Sequence, residues 1–273
     1  MTTHTVDVAG GRLRYEVRGS GPLLLVMGAP MDAAAFAPLA DALADDHTVV
    51  THDPRGISGS VLDDPEQDST PDLRADDVAA LLDALGAASA DVFGSSGGAV
   101  TCLALAARHP GRVRTLVAHE PPLLDLLPDA ADRHAAIDDI VATFHREGQP
   151  AAWGKFMVTS GFDDGQGGAP AQPPGDFSEQ DIANGARFFA HEIRGTTRYR
   201  PDAAAVTAGA GRVVVGIGES SGGLVTHPTS VALAGLLGVT PVEFPGDHGG
   251  FLAQPKEFAE TLRAVLADGP PAR

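Results

Sequence analysis

The chain has 273 residues, 43% of them hydrophobic and 20% charged, enough for one large or two small globular units in which about 75% of the unfolded surface is buried. Its formal net charge of -17, from 36 acidic and 19 basic residues, repels polyphosphates, and no basic cluster offsets it, so nucleic acid is excluded as an expected partner. One cysteine rules out an internal disulfide, and no apolar run reaches the ~18 residues needed to span a bilayer.

The N-terminal MTTHTVDVAGG has no basic start followed by an apolar run, so no signal peptide is read and a cytoplasmic location without membrane attachment is expected. HTVDVAGGRLRYEVRG (4–19) alternates around Gly10-Gly11 and predicts a hairpin. PLLLVMG (22–28) is a continuous apolar run, as in a strand buried on both faces. Helical spacing follows over 33–46, then a strand over 47–53 and a loop rich in Gly, Ser, Asp and Pro. Thr70-Pro71 forms an N-cap with proline at the first helical position, opening a helix over 73–86.

The alternation continues with a strand over 90–93, a helix over 98–109 and a strand over 112–119. Cys102, inside that apolar helix, reads as a small core residue. Between His119 and Gly211 the pattern changes to helices without strands, over 132–148, 151–161 and 178–195, with DDGQGGAPAQPPGD (163–176) reading as a mobile loop. Strand 211–218, helix 228–238, strand 240–244 and helix 255–268 complete the chain. The repeated strand–helix units predict an α/β fold with a mainly parallel central sheet flanked by helices. Residues 1–121 and 201–273 form its core, and 122–200 form an inserted helical cap over one end of the strands.

Gly94-Ser95-Ser96-Gly97-Gly98 satisfies G-x-S-x-G at the junction of a predicted strand and a predicted helix. A sharp turn there strains the central residue, holds Ser96 clear of the sheet at the positive end of the helix, and aims the Gly97 N–H where an oxyanion would form. Gly-rich pentapeptides of this kind also serve as plain strand-to-helix crossings. Against that reading stand His248, flanked by glycines in Pro245–Phe251 between the last strand and last helix, and the turn of LLLVMGAP (23–30), where Ala29 is a second backbone donor. Ser95 is read as packing or turn chemistry.

At this point the chain resembles the α/β-hydrolase fold family over almost its whole length, in a branch of serine esterases and haloperoxidase-like proteins. The hairpin, Met27-Gly28-Ala29-Pro30, Asp53-Pro-Arg-Gly-Ile-Ser-Gly-Ser60, the elbow at Ser96, the cap and His248 carry the resemblance. Three positions depart from it: Met27-Gly28 stands for the frequent His-Gly, Ser95 for a frequent His, and Ser221 for the usual acid after the late strand.

The favoured acid is Glu120, at the end of strand 112–119, with Glu219 after strand 211–218 as the alternative; the competing reading of Glu120 is a charge pair with a cap or loop cation such as Arg55 or Arg198. The resemblance implies a cofactor-free, metal-free serine hydrolase, carboxylesterase-like, cleaving a small to medium uncharged ester or lactone through an acyl-enzyme. C–C hydrolases, perhydrolases and a non-catalytic small-molecule binder remain alternatives on the same fold. Met27, Phe144, Trp153, Phe156 and Phe188 are expected to bind substrate, and the protein to be a monomer or homodimer. A nicotinamide or flavin site at Gly216-x-Gly218-x-x-x-Gly222 is disfavoured, because those glycines do not lead directly into a helix N-terminus.

Overall fold

A computed structural model describes residues 1–162 and 178–267. Its strands are β1 (Thr2–Val8), β2 (Gly11–Arg18), β3 (Leu23–Met27), β4 (Thr48–His52), β5 (Val61–Leu62), β6 (Ala90–Ser95), β7 (Val113–His119), β8 (Ala210–Gly218) and β9 (Val242–Phe244). They form one nine-stranded sheet in the order β1-β2-β4-β3-β6-β7-β8-β9, with β5 pairing β2. The hairpin β1–β2 and the β2–β4 pair are antiparallel, and from β4 onward every pair is parallel.

The pleat explains how the core divides. Successive side chains of a strand face opposite sides of the sheet, so Leu25 and Met27 enter one apolar cluster while Leu24 and Val26 enter the other. Phe93, Val117 and Val214 join the second cluster, and Val92, Leu116 and Val215 the first. Helices α1 (Ala37–Leu43), α2 (Pro71–Ala84) and α3 (Gly97–Arg108) precede β7. Helix α3 is buried from Gly97 through Ala106, as expected of a helix apolar all round. Cys102 lies inside it, fully buried, and burial pushes its thiol above the ordinary range.

Between β7 and β8 the described residues are helical: α4 (Ala130–Glu147), α5 (Gln149–Ser160), α6 (Glu179–His191), α7 (Ile193–Thr197) and α8 (Ala203–Gly209). This insertion has an apolar cluster of its own, with Leu124, Ile137, Ile140, Val141, Phe188 and Phe189 at its centre. Trp153 stacks on Phe188 at 5.7 Å and meets Phe189 edge-on at 4.8 Å. The chain then returns to the sheet and closes with α9 (Thr226–Leu237), α10 (Gly250–Ala253) and α11 (Pro255–Ala267).

The seam between insertion and core is polar. Asn184 accepts from the Ser58 N–H and donates to its hydroxyl, both at 2.9 Å, and Arg187 donates to the Pro65 and Gln67 carbonyls. Arg74 on α2 reaches Thr196 of α7 at 2.9 Å and lies 3.5 Å from the buried Glu192.

Element boundaries differ from the sequence expectation where tertiary contacts decide them. The helix expected over 178–195 begins on a Ser178–Asp181 capping box but breaks at Glu192, giving α6 and α7. The helix expected over 33–46 is confined to α1, and β5 and α8 carry no strong local signal. The Thr70 cap forms as read, its hydroxyl accepting from Leu73 N–H at 3.2 Å. The segment 163–176 lies outside the described residues.

Candidate active site

Parallel register brings the strand tips to one edge. Met27 pairs with Gly94, Ser95 with His119, His119 with Gly216, and Gly218 with Phe244. The turns after β3, β6, β7, β8 and β9 therefore gather at the carboxyl end of the sheet, where open parallel sheets bind ligands.

Ser96 follows β6 at φ 56°, ψ −125° and caps α3. That backbone region is costly for a residue with a side chain, on the order of 1–3 kcal/mol. The flanking glycines are required by space: a Cβ on Gly94 would lie 2.4 Å from the Gly98 carbonyl oxygen, and one on Gly98 would lie 2.3 Å from that of Met27. The Ser96 N–H is fixed to the His119 carbonyl at 2.9 Å. Among the described residues, neither the Gly97 nor the Ala29 N–H has a hydrogen-bond acceptor, and both residues line the same cavity as Ser96. Asp53 braces the turn after β3 by accepting from the Ala33 N–H at 2.9 Å and the Gly59 N–H at 3.0 Å.

Glu120 follows β7 at φ 50°, also left-handed, and is fully buried. Its Oε1 accepts from the Gly218 N–H at 2.9 Å and its Oε2 from the Thr226 hydroxyl at 2.8 Å. The same Oε2 lies 2.6 Å from His248 Nδ1. Burial alone would raise the pKa of this carboxyl, but the hydrogen bond from His248 and the charge of its ring when protonated outweigh it and lower the pKa to about 2. A carboxylate only accepts, so Nδ1 of His248 donates to it, and Nε2 is the nitrogen with which the neutral ring can accept a proton. The cations considered as rival partners of Glu120 are engaged elsewhere, Arg55 with Asp77 and Arg198 with Asp138, both at 2.7 Å.

Glu219 is exposed on the turn after β8, its N–H bonded to the Phe244 carbonyl. Ser221, two residues on, is fully buried. Ser95 is buried too, its hydroxyl 3.0 Å from Nδ1 of His119. His119 stacks 6.3 Å behind the His248 ring, and burial lowers its pKa to about 4.

Ser96, Gly97, Ala29 and His248 line one cavity of about 260 Å³. Of the expected substrate-contacting residues, Trp153, Phe156 and Phe188 line it as well. Met27 and Phe144 do not: Met27 belongs to the core beneath the sheet edge, and Phe144 stacks on Phe189 inside the insertion. Arg133, Ile137, Thr196, Thr197 and Thr226 also line the cavity and were not anticipated, because no linear spacing connects them to Ser96. Among the described residues no three His, Cys, Asp or Glu side chains cluster as metal ligands. Nor, among them, is any helix long and apolar enough to cross a membrane.

The sequence model of the alpha/beta hydrolase fold family matches residues 21–186, and the chain belongs to that family. It is 34% identical over 269 residues to the uncharacterized hydrolase YraK of Bacillus subtilis, covering 96% of this chain and 95% of that one. Its fold is similar to that of a thermophilic esterase from Thermogutta terrifontis, at TM-score 0.72 and 20% identity over 98% and 99% of the two chains. It is similar also to the enol-lactonase from Burkholderia xenovorans LB400, at TM-score 0.65 and 21% identity over 97% and 100%. Hydrolase is the class that the family and the Bacillus relative have in common.

Proposed function

We propose that the protein is a serine hydrolase that cleaves small to medium esters or lactones through an acyl-enzyme, with Ser96 as nucleophile, His248 as base and Glu120 as the acid that orients it. Residues 122–200 act as a cap that supplies one wall of the substrate cavity. The observation that carries this reading is the 2.6 Å contact of His248 with buried Glu120, behind a cavity that both Ser96 and His248 line. Glu219, exposed on the turn after β8, is the weaker candidate.

Nε2 of His248 takes the Ser96 proton as Oγ attacks the carbonyl carbon. The N–H groups of Gly97 and Ala29 hold the oxyanion, and loss of one such donor costs about 10²–10³ in turnover. Collapse of the tetrahedral intermediate passes the proton from His248 to the leaving oxygen. Water, deprotonated by the same imidazole, then releases the acid product and restores Ser96. Glu120 keeps Nδ1 protonated and stabilises the imidazolium formed in each half-reaction.

The cavity walls favour apolar substrate groups, with Ile137, Trp153, Phe156 and Phe188 facing it. At about 260 Å³ it lies under the roughly 300–1,000 Å³ of sites for drug-sized ligands, so short acyl or alcohol groups fit best. The fold relatives described as an esterase and an enol-lactonase agree with this class without deciding it. Hydrolysis of p-nitrophenyl acetate tests the reading: Ser96→Ala is expected to abolish it, and turnover retained by that variant would count against Ser96 as nucleophile.

A further inference from the structure

Resting on the acyl-transfer reading above, we propose that the substrate carries a carboxylate remote from the reacting carbonyl, and that Arg133 recognises it. This departs from the uncharged substrate expected of the sequence. Apart from His248, Arg133 is the one ionisable side chain among the described residues lining the cavity. The remaining lining is mostly apolar, and its polar exceptions are largely committed within the protein. The Thr196 hydroxyl accepts from Arg74 at 2.9 Å, that of Thr197 donates to the Ile193 carbonyl at 2.8 Å, and that of Thr226 donates to Glu120 at 2.8 Å. Thr159 and Ser160 also line the cavity as neutral hydroxyls, and among the described residues Arg133 is the one cation beside them with N–H donors to spare.

Its place in the fold suits that role. Arg133 stands in the first turn of α4, one turn before Ile137 on the same stripe, and both residues line the cavity. Arg133 and Ile137 thus belong to the part of the lining contributed by the insertion, and Ser96 and His248 to the part contributed by the sheet edge. The guanidinium has five N–H donors. Asp129 engages Nε alone, at 2.9 Å, and the two terminal nitrogens bond to nothing else among the described residues. A planar fork with its terminal donors unengaged is matched to a carboxylate, which accepts two parallel N–H bonds. The side chain remains 35% exposed, so holding it at the cavity edge imposes little burial penalty. The chain's net charge of -17 opposes the approach of an anion, but that field is screened over about 8 Å at physiological salt, leaving the local cation to decide binding inside the cavity.

The test compares ester pairs that differ only in a carboxylate. Mono-4-nitrophenyl glutarate and its methyl ester place the charge on the acyl side; 4-butanoyloxybenzoate and its methyl ester place it on the alcohol side. Wild type is expected to favour at least one acid over its neutral twin by about tenfold to a hundredfold in kcat/KM, through KM, as a charged hydrogen bond supplies. Arg133→Met removes the charge; it is expected to erase that preference, read within the variant as the ratio of kcat/KM for each acid to that for its neutral twin. Asp129→Asn, which removes the competing negative charge beside the guanidinium, is expected to keep or increase the preference. Equal cleavage of acid and twin by wild type, or a preference that survives Arg133→Met, would overturn the proposal. Failure to cleave all four compounds would count against the acyl-transfer reading instead. Calorimetric binding of the same pairs to Ser96→Ala still decides the role of Arg133 in that case: selective binding lost with Arg133→Met supports it, and unselective binding overturns it.

Discussion

The two walls of the cavity are built by different rules. The sheet-edge wall is backbone architecture: Ser96 and Glu120 sit at the tips of adjacent strands, each forced to positive φ, and each is fixed by main-chain bonds to the neighbouring strand. The wall from the insertion is side-chain packing, with Trp153, Phe156 and Phe188 turned toward the cavity from helices that share an aromatic cluster. A strand tip admits one geometry or fails, whereas a packed aromatic cluster tolerates replacement with a graded loss. Reaction chemistry belongs on the first kind of surface and substrate selection on the second.

Substitutions at the strand tips should therefore produce the largest effects. Glu120→Gln keeps the shape but removes the charge facing His248 and leaves one acceptor oxygen where Gly218, Thr226 and His248 used two, and turnover is expected to fall by up to about 10⁴. Glu219→Gln, on the exposed turn of the next strand, is expected to stay within about twofold. Steady-state kinetics on one ester decides between them; equal losses, or a larger loss at Glu219, would erase the distinction drawn between these two tips.

Acid should loosen the sheet edge next. His52 and His119, at the ends of β4 and β7, are buried and both have pKa values lowered to about 4 by desolvation. Between about 4 and 6.5 the unfolded chain binds protons at these sites that the folded chain refuses, so stability falls as pH falls through that window. Each histidine contributes a loss of about 2 kcal/mol between pH 7.5 and 5. Glu120, lowered to about 2, adds a further loss only below about 4.5, where its unfolded counterpart takes up a proton. Denaturant unfolding at pH 7.5, 5 and 4 checks the sequence of losses, and a flat profile down to pH 5 would contradict the neutral, buried state of the two histidines.

The smallest effects are expected on the wall from the insertion. Trp153→Ala removes an aromatic face from the cavity but no group from the reaction, so KM is expected to rise about tenfold with kcat within about threefold. A collapse of kcat with unchanged KM would mean that this wall takes part in the chemistry.

The same contrast explains what the sequence reveals. G-x-S-x-G at a strand–helix junction is a local signal because the Gly94–Gly98 and Gly98–Met27 approaches exclude side chains at fixed offsets. The buried strands and the Thr70 cap are legible for the same reason: each is dictated within a few residues. The proposed acid is legible in the sequence only as a choice of two. Glu120 and Glu219 each follow a strand, and what separates them is the register of β7, β8 and β9 that sets His248 beside Glu120. The aromatic residues of the insertion carry no local rule at all. Phe144 and Phe188 look alike in sequence, yet one faces Phe189 and the other faces the cavity as well. Arg133 and Thr226 reach the cavity only through the packing of α4 and α9 against the rest. Left-handed backbone at Glu120 is likewise invisible in a glutamate.

The most direct test of the central claim is covalent labelling with a fluorophosphonate followed by peptide mass spectrometry. One adduct is expected, on Ser96, absent from Ser96→Ala, retained in Ser95→Ala, and formed far more slowly in Glu120→Gln. An unlabelled protein, or an adduct on any other residue that persists in Ser96→Ala, would contradict the account.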